Sequence, residues 1–183
     1  MIYHLTLKAV GIAVGLLLII THAFAYLQQS RSIAWARAFP RARVESGILL
    51  AAAAVWSFAL VRQIDLGEFS NLRSLMLLAI VAGAILSWFY VEEFLAVRAL
   101  GMLLLLAAEP LLEAAVLRNE PTRLLLVVLA YAWIIAGLFF VGMPYLLRDA
   151  VGWVTARPWR WEAGCIAGTL YGLAILLCAI LLW

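Results

Sequence analysis

The chain of 183 residues is 68% hydrophobic and 13% charged, with a mean hydropathy of +1.09. A soluble domain carries about 45–50% apolar and about 25% charged residues, so a soluble globular fold is excluded. The formal charge of +3 is too small and too dispersed to make nucleic acid an expected partner. What remains is an all-α polytopic membrane protein, a compact bundle of about six transmembrane helices. Lipid offers backbone groups no partner, and long apolar runs without strict alternation do not form barrel strands.

The first apolar window covers residues 6–27. It lacks a small-residue cleavage site and is read as a retained helix, not a signal peptide. Gly11 and Gly15 recur one turn apart on it. His4 and His22 share its face but stand about 27 Å apart, too far to ligate one haem together. Each alone can ligate a tetrapyrrole, while the plainer role for His22 is packing. The connection that follows interleaves Arg31, Arg37, Arg41 and Arg43 with Trp35 and Phe39. The second window, residues 47–61, is the shortest. The third, residues 74–91, carries Ala79, Gly83 and Ser87 at fourfold spacing. Glu92 and Glu93 follow it, expected at a helix N-terminus where negative charge is favoured.

Residues 94–117 form the fourth window, and here the sequence departs from pure apolarity. Arg98, Met102, Glu109 and Glu113 fall in a stripe roughly 60° wide at about 100° per residue. Arg98 and Arg118 bracket the window by roughly 30 Å, which places Glu109 near the midplane. A charge there costs at least roughly 2.5–3.5 kcal/mol, so the stripe must face protein or water. Pro110 cannot donate to the carbonyl of Leu106 and is expected to kink the helix beside the acid. Glu109 and Glu113, with Arg98, thus form the candidate intramembrane polar site. Such a pair can relay protons, bind a cation, or hydrogen-bond a facing helix and fix the bundle's register.

The fifth window spans residues 124–147 and the sixth residues 164–183. Between them Arg157 and Arg160 alternate with Trp153, Trp159 and Trp161. The two arginine–tryptophan connections fall on one face, where Arg31, Arg37, Arg41, Arg43, Arg157, Arg160, Trp159 and Trp161 can contact anionic lipid or a partner's acidic surface. On the sixth window Gly164, Gly168 and Gly172 recur every four residues, and with Gly11, Gly15 and Gly83 they mark faces for close helix packing. Cys165 and Cys178 lie about 20 Å apart along one helix, beyond disulfide reach.

Alternating the connections puts eight basic residues on the first face against five on the other. The positive-inside rule makes the first face cytoplasmic and leaves both termini outside, with the arginine-rich composition pointing to a bacterial inner membrane. The whole chain reads as a single domain, with no internal repeat. No nucleophile elbow, phosphate-cradling loop or Glu-x-x-His pair is present, so no enzyme and no metal site is expected. The expected function is a non-catalytic integral subunit of a larger electron-transfer, photosynthetic or transport assembly. The alternatives are a small proton- or ion-coupled transporter or channel using Glu109 and Glu113, and a substrate-capturing component of an uptake system. Expected partners are membrane lipids and other membrane subunits; as cofactor, bound lipid, pigment or haem stays open.

Overall fold

The computed structural model describes residues 3, 5–91 and 93–183; His4 and Glu92 lie outside the described residues. Among these the chain forms eight helices: α1 Leu7–Leu27, α2 Gln29–Ala38, α3 Arg43–Gln63, α4 Arg73–Tyr90, α5 Leu95–Ala115, α6 Leu124–Gly142, α7 Tyr145–Thr155 and α8 Pro158–Leu181. Six of them, α1, α3, α4, α5, α6 and α8, are long and apolar enough to cross a membrane. The protein is an all-α, multi-pass membrane protein.

The element boundaries follow local chemistry. Thr6 Oγ1 accepts a bond from Ala9 N (3.2 Å) and caps α1. The second window grows into α3 because Arg43, Val44, Glu45 and Ser46 continue the helix into its polar first turn. The fifth window stops at Gly142 rather than running to residue 147. Pro144 follows, and the residue before a proline is driven out of the helical region. The sixth span starts earlier than expected, at Pro158, a residue whose fixed φ suits the first helical position. The two arginine–tryptophan connections are themselves largely helical, as α2 and α7. They are too short to span and too polar to be buried in hydrocarbon.

Packing is built on two close helix pairs. Along α1 and α8, Gly15 and Gly172 face each other, and a Cβ on either would stand 3.0 Å from the other's carbonyl oxygen. Gly11 meets Trp183 and Ala179, and Gly168 lies beneath the His22 imidazole. In the second pair, α5 and α6, a Cβ on Gly101 would come 2.9 Å from the Gly137 carbonyl oxygen. Such approaches tolerate only small residues. Val10 and Val14 of α1, Leu111 of α5, Leu126 and Ala130 of α6, and Ile175 of α8 bring both pairs into one core. A second cluster seats Phe39 on Ala96 and Val97, docking the 3-10 turn Phe39–Arg41 against α5. Outside these, α3 packs on α5, and α4 packs on α3 and on the 3-10 turn Gly67–Leu72. No residue of α4 is buried.

The bundle therefore has two dissimilar ends. One gathers α2, α7, the 3-10 turn Phe39–Arg41 and the first residues of α3, α5 and α8, and is rich in arginine. At the opposite end Arg73 donates to the carbonyls of Arg62 (3.0 Å) and Ile64 (2.9 Å), and Arg123 to that of Ala115 (2.8 Å). These two arginines satisfy carbonyls that the ends of α3 and α5 leave without helical partners.

Candidate functional site

The acidic stripe of α5 lies toward the opposite end. The helix continues through the buried Pro110 and ends at Ala115, so Glu113 sits in its last turn and Arg118 outside it. Glu113 is engaged by the segment leading into α1, where Tyr3 N donates to Oε1 (3.1 Å) and Oε2 (3.4 Å). The Tyr3 phenol oxygen in turn accepts from Trp56 Nε1 of α3 at 2.7 Å. Burial pushes this phenol above its usual value of 10.0; the Trp56 bond pulls it down, and the charges of Glu109 and Glu113 push it up. One tyrosine thus ties the amino-terminal segment, α3 and α5 together, with a carboxylate as anchor. Neither Tyr3 nor Trp56 stood out in the sequence, where each reads as an interfacial aromatic.

Glu109 is partly buried one turn deeper. Arg98, on the same stripe, stays about 16 Å away along the axis, so the structure does not join it to the acids. Its Nε is buried without a hydrogen-bond partner. Glu109 and Glu113 line none of five well-formed cavities, of about 230–530 Å³, among the described residues.

His22 packs inside the α1–α8 seam. Its Nδ1 lies 2.8 Å from the Leu18 carbonyl oxygen, a contact that requires the proton on Nδ1, and its ring covers Gly168. Cys165 is buried, Cys178 is partly buried, and both are free. Among the described residues, no three His, Cys, Asp or Glu side chains gather as a metal-binding group. Of the glycines, Gly11, Gly15, Gly168 and Gly172 serve the α1–α8 seam, whereas a Cβ on Gly83 or Gly164 would meet nothing within 4 Å. The Gly101–Gly137 crossing has no repeat in sequence to reveal it.

The arginine-rich end divides its residues between internal ties and open cavities. Arg37 of α2 donates to Thr155 Oγ1 (3.0 Å) and Thr155 O (3.1 Å), fastening α2 to α7. Arg160 donates to Trp153 O (3.0 Å) and stacks between Trp153 and Trp159, its Cζ 4.1 and 5.6 Å from their ring centres. Trp161 Nε1 reaches Ala25 O (3.2 Å) and ties α8 to α1. Arg31, Arg157 and Trp159 are exposed. Arg41 and Arg43 instead line the largest of the five cavities, about 530 Å³, together with Arg148, a residue the sequence pattern did not single out. Arg43 lies over Trp88 (5.3 Å) and Arg148 over Phe94 (5.8 Å). Phe94 precedes α5 in a left-handed conformation, φ 57°, which costs an L-residue roughly 1–2 kcal/mol.

Compared with known protein families, curated proteins and solved structures, the chain matches none.

Proposed function

We propose that this protein is a non-catalytic integral membrane subunit that packs into a larger assembly of a bacterial inner membrane, of the electron-transfer, photosynthetic or transport kind. The observation that carries the reading is α4. It contributes no buried residue, and Gly83 on it faces open space, while the other spaced glycines of α1 and α8 are largely taken up inside the chain. A small-residue face that this chain does not cover is suited to a helix from another subunit. The acidic pair supports the same reading, because Glu113 anchors the amino-terminal segment through Tyr3. By the positive-inside rule the arginine-rich end is cytoplasmic and both termini lie outside.

Gly83→Leu, native extraction in a mild detergent and sizing test this directly. The variant is expected to keep wild-type helicity but to separate from the polypeptides that migrate with the wild-type chain. Unchanged comigration would show that the face is lipid-facing and would remove the basis of the proposal.

A further inference from the structure

We propose that the cavity at the arginine-rich end is a binding site for one anionic phospholipid, with its phosphate among Arg41, Arg43 and Arg148 and one acyl chain in the α3–α4 groove. The headgroup half rests on charge and size. Among the described residues, three guanidinium groups line about 530 Å³, against the one carboxylate of Glu93. Asp149 pairs with Arg148 at 2.8 Å, but it does not line the cavity. A volume within about 300–1,000 Å³ suits a small ligand. Arg43 lies over the Trp88 ring and Arg148 over the Phe94 ring, with Arg148 Nε and Nη2 directed at Asp149 Oδ1 (2.9 and 2.8 Å). A guanidinium lying over a ring keeps in-plane N–H groups for an oxyanion, Arg148 through the Nη1 N–H groups that Asp149 does not take, and phosphate matches such donors.

The lipid half rests on what adjoins this cavity. Trp88 lines both the basic cavity and a second one of about 360 Å³ between α3 and α4. That groove is walled by Gly47, Leu50, Ala84, Ile85 and Phe89, and offers hydrocarbon contacts only. Gly47 keeps it open beside Trp88, since a Cβ there would stand 3.1 Å from the ring. Basic at the membrane surface and apolar directly along the bundle, the pair of cavities has the polarity profile of a phospholipid. Free phosphate would satisfy only the first half.

The test is native mass spectrometry of the full-length protein exchanged into phosphatidylcholine nanodiscs carrying graded phosphatidylglycerol. The wild type should retain one phosphatidylglycerol with at least tenfold preference over phosphatidylcholine. Arg41→Gln/Arg43→Gln/Arg148→Gln should abolish the preference, and Arg31→Gln/Arg157→Gln, which removes exposed charge elsewhere on the same end, should keep it. Ala84→Trp, which fills the groove, should weaken retention severalfold while leaving the arginines in place. All five arginines are exposed, and far-UV circular dichroism confirms the fold of each variant. Equal retention of both lipids by the wild type would overturn the proposal, as would equal losses from the two arginine variants. Full displacement by excess inorganic phosphate, with Ala84→Trp behaving as wild type, would assign the cavity to free phosphate instead.

Discussion

Two alanine substitutions of glycine, chemically identical, should move stability in opposite directions. At Gly83 the new methyl group meets nothing within 4 Å. Gly83→Ala therefore acts through backbone entropy and stabilises α4 by about 0.5–1 kcal/mol. At Gly137 the same methyl group would stand 2.8 Å from the Gly101 carbonyl oxygen and 2.9 Å from Leu105 Cγ. A carbon–oxygen contact settles near 3.3 Å, so the helices must part by about half an ångström. The obstacle is a helix carbonyl, which cannot swing aside as a side chain does. Overpacking of this kind costs about 1–3 kcal/mol. The entropic gain is common to both variants, so this range is also the expected gap between them. Reversible unfolding in mixed detergent–SDS micelles, followed by far-UV circular dichroism, measures it, in a detergent where the chain runs alone. Equal midpoints, or a Gly137→Ala variant more stable than Gly83→Ala, would show that α5 and α6 do not approach this closely.

Glu109→Gln should leave folding and native size unchanged, because the amide keeps hydrogen-bonding capacity; loss of a proton-dependent activity of the assembly on this change alone would contradict the structural role. Trp56→Phe and Tyr3→Phe each delete the 2.7 Å bond between indole and phenol and should each cost about 1 kcal/mol. A double-mutant cycle should return a coupling of about 0.5–1.5 kcal/mol, and zero coupling would mean that the bond contributes nothing. Because the folded chain raises the Tyr3 phenol above 10.0, it holds that proton more tightly than the unfolded chain. The contribution is intact below pH 10 and is lost as pH rises through the folded value. The unfolding midpoint should fall over that alkaline range in the wild type and less in Tyr3→Phe; identical slopes would refute the assignment.

The six spans were legible because apolar length alone dictates them: a run of about 20 such residues has no other stable fate in lipid. Their ends were less so. Hydropathy placed the start of the second span at residue 47, since Arg43 and Glu45 look like loop. A helix emerging at an interface can nevertheless continue through charged residues whose side chains reach water. The end of α6 and the start of α8 were written in the sequence, by Pro144 and Pro158, and hydropathy masked both. The α1–α8 seam announced itself as glycines at fourfold spacing. The equally close α5–α6 crossing did not, because neither Gly101 nor Gly137 has a glycine four residues away on its helix, and the two acquire meaning only opposite each other.

The functional residues divide along the same line. Sequence can nominate arginines and tryptophans for a membrane face, but not which of them tertiary contacts consume. Arg73 and Arg123 point N–H donors at carbonyls that end helices, and Arg37 points two at Thr155, so much of their bonding capacity is used. Arg43 lies over an aromatic face, which leaves its fork unspent, and Arg148 gives Nε and Nη2 to the exposed Asp149 and keeps the N–H groups of Nη1. This difference in how a guanidinium is held separates the cavity's Arg43 and Arg148 from Arg37 at the same end and from Arg73 and Arg123 at the other. It leaves the cavity of the arginine-rich end able to take an anion from outside the chain, as proposed.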